Sequence, residues 1–418
     1  MLHVSNAIDL PAIRDRFPGL SRMHNGHGVA YFDGAAGSQV PQSVIDAIAD
    51  TLAHHNANRG SVIPTSHEAD ERIDAAHRAF ADFLGAKNPA EVFFGQNMTS
   101  LTFAFSRALG RTWNPGDEII VTRLDHDANV TPWTLAARDA GATVHTIDFN
   151  PDDCSLDVAS LYSRLNERTR LVAVGYASNA VGTVNPIADI SRAARATGAL
   201  TFIDAVHFAP HGRINVQALG CDFLACSPYK FFGPHLGVMY GRLELLERLN
   251  AYKLRPSPSQ SPGKWMTGTQ SHESICGAAA AVDYIAALAD SLQLSRPQQL
   301  DIAFDRIQQI ERSIGDRLLA GLRELRRFKL WGIADSTRWN ERVPTFSLTH
   351  DSLTPEQLSE RLLADGLFTW AGNHYALSFC QHTGLERGGT LRISLMHYNT
   401  HDEVERLLMA LNTIERQS

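Results

Sequence analysis

A lysine in an apolar setting is the first residue whose chemistry stands out. Lys230 lies in the stretch "DFLACSPYKFFGPHLGVMYG" (222–241), next to Tyr229 and three residues after Ser227. Burial in apolar surroundings lowers the pKa of a lysine because it disfavours the charged form. A neutral lysine is a nucleophile that can form a Schiff base with a carbonyl compound. The stretch therefore predicts covalent, carbonyl-dependent chemistry at Lys230.

Three further polar residues stand where strands end or helices begin. Asp204 closes the run "LTFID", His126 follows "EIIVTRLD", and Thr99 begins a helical stretch after "FFGQNM". Each alone is equally consistent with a turn carboxylate, a loop histidine or a helix cap. Ligands of open α/β sheets bind at the carboxyl ends of the strands, so these residues are expected to converge near Lys230. They supply the anion, the flat ring and the anion-binding helix terminus that pyridoxal phosphate needs besides its lysine.

Short apolar runs alternate with helical patterns before residue 242. Strands are predicted at 91–95, 118–122, 143–149, 171–177, 200–205, 223–227 and 236–241. Helices are predicted at 99–109, 129–141 and 187–198. Nearly continuous apolar strands separated by helices predict an α/β fold with a mainly parallel sheet that is covered on both faces. Only a short turn joins the last two strands, which allows an antiparallel pair there.

The length of 418 residues and the rest of the chain predict a second, smaller domain. A Pro/Ser-rich stretch at 255–264 indicates a loop or flap, and a long helical region at about 273–327, broken around "SRPQQ", follows it. The last part of the chain predicts a βαββα unit in which "TPEQ" and "THDE" start helices. The predicted division is an N-terminal segment at 1–20, a large α/β domain at 21–295 and a small C-terminal α+β domain at 296–418.

Composition argues against several functional classes. A formal net charge of −7 disfavours nucleic acid or an anionic membrane as the main partner. Five cysteines without a CxxC pair predict neither a disulfide framework nor a zinc site, and scattered histidines without HExxH predict no metal centre. The N-terminus lacks the features of a signal peptide, and no apolar run reaches the ~18–20 residues of a membrane helix. A cytoplasmic enzyme or binding protein is expected.

Six segments along the chain carry a family resemblance. They are "YFDGAAGSQVP" (31–41), "LDHDANVTPW" (124–133), "ASNAVGTVNP" (177–186), "FIDAVHFAPH" (202–211), "CSPYKFFGPHLGVMYG" (226–241) and "LRISLMHYNTHDEVERL" (391–407). In this order they resemble the class V aminotransferase family of fold-type I pyridoxal-phosphate enzymes, and within it the cysteine desulfurase and selenocysteine lyase-like group. The resemblance implies a large domain with a mainly parallel seven-stranded sheet and a small C-terminal α+β domain.

The resemblance also implies a role for each cofactor-site residue. Lys230 would form the Schiff base with pyridoxal phosphate and move protons on the substrate. Asp204 would pair with the pyridinium nitrogen, His126 would stack on the ring, and Asn179 would reach the phenolic oxygen. The remaining cofactor-binding positions are His207, next to the phosphate and the phenolic oxygen, and Met98, Thr99, Ser227 and Tyr229, which would hold the phosphate.

Two further residues are assigned to the substrate and to a partner subunit. Arg392, in "LRISL", matches the arginine that grips the α-carboxylate of the substrate. A planar, always charged guanidinium binds a carboxylate bidentately, although the same residue could form a surface ion pair. Thr269, in "TGTQ", matches a threonine that reaches the phosphate of the partner subunit. This match implies a homodimer with shared active sites.

Two positions depart from the desulfurase pattern. In the segment 368–379, Tyr375 occupies the position of the persulfide-forming cysteine, and Trp370 that of a second substrate-binding arginine. A phenol cannot hold a persulfide, but it can transfer a proton, so Tyr375 is assigned as a general acid for the leaving group. Cys380, five residues on, is expected to be a buried residue of a short helix rather than a replacement sulfur acceptor.

Three functions stay open. The favoured one is a pyridoxal-phosphate enzyme that acts on an amino acid through an external aldimine, in a cysteine desulfurase-like C–S lyase reaction without the usual persulfide cysteine. The second is another class V reaction, such as transamination, epimerisation or kynureninase-type cleavage. His207 and Tyr229 favour the second, because desulfurases usually carry glutamine and histidine there. The third is a catalytically retired scaffold or sulfur-carrier partner.

Overall fold

Fifteen strands and fourteen α-helices make up the part of the chain that the computed structural model describes, which is residues 9–417. The first eight residues of the predicted N-terminal segment at 1–20 lie outside the described residues. The strands are β1 Met23–His24, β2 His27–Gly28, β3 Ala30–Tyr31, β4 Val92–Gly95, β5 Glu118–Thr122, β6 Thr143–Ile147, β7 Thr169–Gly175, β8 Leu200–Asp204, β9 Phe223–Cys226, β10 Gly237–Gly241, β11 Phe328–Trp331, β12 Thr345–His350, β13 Leu367–Phe368, β14 Trp370–Gly372 and β15 Thr390–Ser394.

The helices predicted at 99–109, 129–141 and 187–198 are all present. The α-helices of the described residues are α1 Leu10–Arg14, α2 Gln42–His54, α3 Pro64–Leu84, α4 Met98–Gly110, α5 Thr131–Ala140, α6 Val158–Arg164, α7 Ile187–Ala196, α8 Val216–Leu219, α9 Leu243–Arg248, α10 His272–Ala287, α11 Arg296–Arg323, α12 Pro355–Ala364, α13 Leu377–Thr383 and α14 His401–Gln417. The predicted break in the long helical region separates α10 from α11. The predicted loop at 255–264 contains no helix or strand.

Seven strands form the central sheet, in the order β4-β10-β9-β8-β7-β5-β6. β10 is antiparallel to both of its neighbours, and the other four pairs are parallel. The short connection at 227–236 has no room for the crossover helix that a parallel pair would need, so β10 turns back against β9. The predicted mainly parallel seven-stranded sheet and its antiparallel pair are confirmed.

Both faces of this sheet are buried. Along β7, Leu171 and Ala173 belong to one apolar core, whereas Val172 and Val174 belong to the other. Successive side chains of a strand point to opposite faces, so the uninterrupted apolar run places side chains in both cores. This burial holds the strands rigidly and leaves their carboxyl ends as the place for polar side chains.

A second, four-stranded antiparallel sheet lies in the C-terminal part, in the order β11-β12-β15-β14. Strand β11 was not predicted from the sequence, because its four residues are too few to show a period. Ala30 and Phe32 pack into the core of this unit, and β3 pairs with β13. The division at residues 20 and 295 stays a prediction. Within residues 9–417 no helix is both long and apolar enough to cross a bilayer.

Replacing Gly237 with alanine should destabilise the contact between β10 and α4. A Cβ at this position would lie 2.4 Å from the carbonyl carbon of Asn97 and 2.7 Å from the nitrogen of Met98. The strand and the start of the helix would have to separate, which costs about 1–3 kcal/mol. Denaturant unfolding measures the loss. The control is Gly28→Ala, whose Cβ would meet no atom within 4 Å; equal unfolding midpoints for the two variants would contradict the prediction.

Candidate active site

A cavity of about 540 Å³ lies at the carboxyl ends of the parallel strands. It brings together every site residue predicted from the sequence except Thr269. Those residues are Met98, Thr99, His126, Asn179, Asp204, His207, Ser227, Tyr229, Lys230, Trp370, Tyr375 and Arg392. Thr269 is exposed and does not line the cavity, so its proposed contact across a dimer interface stays a prediction.

Lys230 is a buried amine at the end of a single helical turn, Pro228–Lys230, that follows β9. Its Nζ donates a hydrogen bond to the carbonyl oxygen of Ala35. Burial, and then the nearby charge of Arg392, lower the pKa of Lys230 to about 7, although Asp204 and Asp33 act in the opposite direction. A substantial fraction of this amine is therefore neutral at neutral pH, as nucleophilic attack requires.

Two carboxylates, Asp204 and Asp125, line the same cavity as the lysine and interact electrostatically. Asp204 ends β8, and its Oδ1 accepts a hydrogen bond from the Val206 N–H at 2.9 Å. Burial raises the pKa of Asp204 to about 6. Asp125 accepts hydrogen bonds from the Gly175 N–H at 2.6 Å and from Asn129 at 3.2 Å. Burial and the charge of Asp204 raise the pKa of Asp125 well above its usual range, so we expect Asp204 to carry the negative charge of the pair.

Asp125 was missed by sequence reasoning although it stands next to His126. Its carboxylate fits only because Gly175 has no side chain, since a Cβ there would lie 2.5 Å from Asp125 Oδ1. The glycine ends β7 directly beside Asp204 on β8. The sequence does show an acid after one strand and a glycine at the end of a neighbouring strand. This pattern is too common in α/β proteins to predict a site residue by itself.

The His126 ring is uncharged and held in place. Its Nδ1 accepts a hydrogen bond from the Ala128 N–H at 3.0 Å. Burial, followed by the charges of Lys230 and Arg392, lowers the pKa of His126 to about 4. The ring of Tyr375 stacks against it, with centroids 5.4 Å apart and planes inclined by 24°. A neutral, fixed imidazole provides a flat surface suited to stacking on an aromatic ring.

The start of α4 and the turn before Lys230 form an anion-binding corner. Asn97 caps the helix by accepting from the Ser100 N–H at 2.8 Å, and the other N–H groups of the first turn have no intrahelical partner. The Thr99 hydroxyl is exposed in the cavity, and Ser227 makes no capping hydrogen bond of its own. These donors and the positive end of the helix suit a phosphate group.

Asn179 and His207 contribute further neutral polar groups to the cavity wall. The Asn179 Nδ2 donates to the backbone oxygen of His374 at 2.7 Å, and its Oδ1 is buried without a hydrogen-bond partner. His207 Nε2 lies 2.9 Å from Thr345 Oγ1. Burial lowers the pKa of His207 well below its usual range, so this imidazole is neutral.

Arg392 is a buried guanidinium on β15. Its Nη1 donates to the backbone oxygen of Asn179 at 2.9 Å, whereas its Nε is buried without a partner. Burial lowers the pKa of Arg392 to about 10, which still leaves it charged. Asp33, which sequence reasoning missed, has an unpaired buried Oδ1 and is close enough to attract both Arg392 and Lys230. A buried cation with unused donors is suited to a carboxylate ligand.

A tight turn brings Tyr375 to the opening of the cavity. His374 and Tyr375 both have φ of +55°, a left-handed conformation that costs about 1–3 kcal/mol for a residue with a side chain. Distant parts of the chain donate to the backbone oxygens of the turn, from Asn179 to the His374 oxygen at 2.7 Å and from the Asp127 N–H to the Tyr375 oxygen at 2.8 Å. The sequence signal is the preceding glycine–asparagine pair, because the Asn373 side chain accepts a hydrogen bond from the Tyr375 N–H at 3.0 Å.

A close backbone contact fixes the strand that leads into this turn. A Cβ on Gly389 would lie 1.9 Å from the backbone oxygen of Gly372. Gly389 and Gly372 both have positive φ. The end of β14 therefore lies against the chain that enters β15, with no room for a side chain between them.

None of the five cysteines lines the cavity. Cys380 is buried on α13, as expected from the sequence, and burial raises the pKa of its thiol to about 11. A high pKa makes a thiol a poor nucleophile. Within the described residues no group of three or more histidine, cysteine, aspartate or glutamate side chains is arranged to hold a metal ion.

The site fits pyridoxal phosphate by the chemistry of its donor set. It combines a partly neutral buried lysine, a buried carboxylate, a neutral stacking imidazole and an anion-binding helix start, and the unpaired Oδ1 of Asn179 offers a further polar contact. Fold and site together define a pyridoxal-phosphate-dependent enzyme of the fold-type I class. The family model described as Aminotransferase class-V matches residues 30–407, and the chain belongs to that family.

Similar proteins are cysteine desulfurases. One from Pectobacterium carotovorum subsp. carotovorum (strain PC1) is 32% identical over 97% of this chain and 97% of its own length. The solved cysteine desulfurase of Thermococcus onnurineus NA1 superposes with a TM-score of 0.87 at 25% identity, covering 99% of this chain and 100% of that chain. The cysteine desulfurase CsdA of Escherichia coli shares the fold, with a TM-score of 0.83 at 24% identity over 99% and 100% of the two chains. The chain is a cysteine desulfurase-like class V enzyme.

Capture of pyridoxal phosphate by Lys230 should have a pH midpoint near 7. Only the neutral amine attacks, so the rate of borohydride-trappable incorporation into cofactor-free protein should rise about tenfold per pH unit below the midpoint and level off above it. Nα-acetyl-lysine under the same conditions corrects for the titration of the cofactor itself, and Lys230→Ala should trap none. A midpoint near the ordinary lysine value of about 10.4 would contradict the prediction.

Proposed function

We propose that this enzyme cleaves the bond between Cβ and sulfur in an amino acid by β-elimination. The sulfur leaves as sulfide or as part of a free thiol. The observation that carries the proposal is the absence of a thiol from the cavity lining, where Tyr375 stands at the opening. The desulfurase-like family supports C–S bond cleavage. The missing thiol argues against transfer of the sulfur to a cysteine of the enzyme.

The proposed roles of the chain's own residues follow from their surroundings. Pyridoxal phosphate, when bound, supplies a carbonyl for the substrate amine and stores the electrons released at Cα. Lys230, with its pKa lowered to about 7, is suited to take the proton from Cα and return it later. Asp204 provides a fixed negative charge at the sheet edge, and His126 provides a flat neutral wall.

Arg392 is proposed to orient the substrate by its α-carboxylate. A buried guanidinium loses little side-chain freedom on binding, because its Nη1 is already held by the backbone of Asn179. Asp33 stands near enough to balance its charge. Lys230 lines the same cavity, so a substrate held by Arg392 shares the cavity with the proposed base.

The balance of atoms favours elimination over desulfuration. With L-cysteine, elimination consumes water and gives pyruvate, ammonium and hydrogen sulfide, with no change in oxidation state overall. Formation of alanine instead requires a second thiol to accept sulfur as a persulfide. Cys380 is buried, and its raised pKa disfavours the thiolate that such a transfer needs. A solution thiol would have to enter the cavity to replace it.

Tyr375 is proposed to protonate the departing sulfur. Its side chain is 73% exposed and stacked on His126, so its hydroxyl can exchange protons with solvent between turnovers. His374, the neighbouring residue in the turn, is unsuited to this step, because burial and the charge of Arg392 lower its pKa well below the usual range.

The test is product analysis with L-cysteine and cofactor-loaded protein, without added thiol. Pyruvate, ammonium and sulfide are expected in equal amounts, with alanine a minor product. Lys230→Ala should lose activity by at least about 1,000-fold, because it removes the base. Alanine and sulfide at turnover rates would contradict the proposal.

Cys380→Ser separates the two routes for sulfur. It should leave product ratios unchanged, since the thiol lies outside the cavity. If alanine forms and this variant abolishes it, Cys380 is the acceptor and the enzyme is a desulfurase. Intact cofactor with neither pyruvate nor alanine from any sulfur amino acid would favour the second reading, in which His207 and Tyr229 serve another class V reaction.

We also propose a homodimer in which Thr269 completes the partner's phosphate site. Its exposure in the loop after 255–264 supports a contact outside its own cavity. Lys230→Ala and Thr269→Ala subunits should each be inactive or impaired alone. After random reassortment of the two variants, the mixture should regain about a quarter of wild-type activity. Half of the dimers then contain one subunit of each kind, and each of these has one intact site out of two. No recovery on mixing, despite subunit exchange, would refute the shared site.

A further inference from the structure

We infer that Trp370 and Tyr375, here called the aromatic rim, form a subsite for an apolar group carried on the substrate sulfur. The substrate would then be an S-substituted cysteine, a thioether, rather than free cysteine. This inference rests on the proposed C–S cleavage and names the substrate class for it.

Exposed aromatic surface at the cavity opening is the first observation. Trp370 is 51% and Tyr375 73% exposed, and both line the same cavity as Lys230. Large aromatic side chains with free faces at a concave site are available to bury apolar ligand surface. The position of Tyr375 is fixed, because its backbone oxygen accepts from the Asp127 N–H and its ring stacks on His126.

The register of the small sheet places Trp370 beside Arg392, the residue proposed to bind the α-carboxylate of the substrate. Trp370 on β14 pairs directly with Arg392 on β15. Side chains of directly opposed residues project from the same face of a sheet, with Cβ atoms about 4.5–5.5 Å apart. A substrate held at Arg392 by its α-carboxylate therefore has the indole as its neighbour.

The charges of the cavity argue against an acidic side chain on the substrate. In the described part of the chain, Lys230 and Arg392 are the only lysine and arginine that line it, and both are committed to the reaction. Asp127 lines the same opening and accepts a hydrogen bond from Thr131 at 2.8 Å. A second carboxylate would lose its hydration without gaining a counter-ion.

The chemistry balances without a sulfur acceptor. An S-substituted cysteine and water give the free thiol of the substituent, pyruvate and ammonium. The C–S bond electrons leave with sulfur, the Cα proton is taken by Lys230, and Tyr375 protonates the thiolate. No oxidant or reductant is consumed, in agreement with a cavity that contains no thiol.

The test compares S-phenyl-L-cysteine with S-methyl-L-cysteine by pyruvate release. The ratio of their kcat/KM values should exceed ten in the wild type and fall by about tenfold or more in Trp370→Ala, because the phenyl group loses its stacking surface. Trp370→Phe should keep most of the ratio. Tyr252→Ala, which removes a half-exposed aromatic outside the cavity, is the matched control and should change neither ratio nor rate.

Binding of an unreactive analogue provides a readout independent of turnover. L-homophenylalanine has a C–C bond where the thioether has C–S, so it can occupy the subsite without being cleaved. It should bind at least about tenfold more tightly than L-alanine and change the tryptophan fluorescence of the wild type but not of Trp370→Phe. Equal affinity for both, or an unchanged Trp370 signal because a partner chain covers the rim, overturns the inference.

The two proposals fail in different ways. Pyruvate from L-cysteine with a phenyl-to-methyl ratio that Trp370→Ala does not alter overturns the aromatic rim and leaves β-elimination standing. Tight, Trp370-dependent binding of L-homophenylalanine without pyruvate from any sulfur substrate supports the rim and refutes β-elimination. A third outcome is a higher kcat/KM for a positively charged S-substituent than for phenyl. That result would show that Asp127, rather than the aromatic rim, selects the substituent, and it would overturn the inference.

Discussion

The site depends on burying two basic side chains, Lys230 and Arg392, close to the acids Asp204 and Asp33. The charge of Arg392 lowers the pKa of Lys230, whereas Asp204 and Asp33 oppose this effect at Lys230, and Asp33 also opposes the lowering of the Arg392 pKa. Such a set is stable only if backbone groups fill the remaining hydrogen bonds, as the Ala35 oxygen does for Lys230. The rigid, doubly covered sheet makes this possible, because each strand end delivers one polar group to a fixed place.

Much of the site could be predicted because its residues follow strand ends. Lys230, Asp204 and His126 stand directly after apolar runs, and the topology of an open sheet brings such positions together. Trp370 and Arg392 could be placed only through the family resemblance, since their cross-strand pairing joins residues that are distant in sequence. The antiparallel turn of β10 could be expected from its short connection.

The residues that sequence reasoning missed are those whose role depends on contacts distant in sequence. Asp125 matters because Gly175, fifty residues later, donates to it. Asp33 approaches Lys230 and Arg392 only after three segments fold together. His374 lies in a left-handed turn, and its backbone oxygen accepts from Asn179, 195 residues earlier in the chain. Strand β11 has too few residues to show a period.

The close contact between Gly389 and the Gly372 oxygen has an evolutionary consequence. A side chain on Gly389 would displace the end of β14, whereas at Gly372 the φ of +130° disfavours a side chain although a Cβ there would meet no atom within 4 Å. Changes at position 370 and in the turn 373–375 can then alter the cavity opening through their side chains, without a shift of the strand end. Substitutions at these few positions would change which leaving groups fit the opening. The cofactor-binding residues come from other segments of the chain and need not change. The same four positions form a compact cassette for directed evolution.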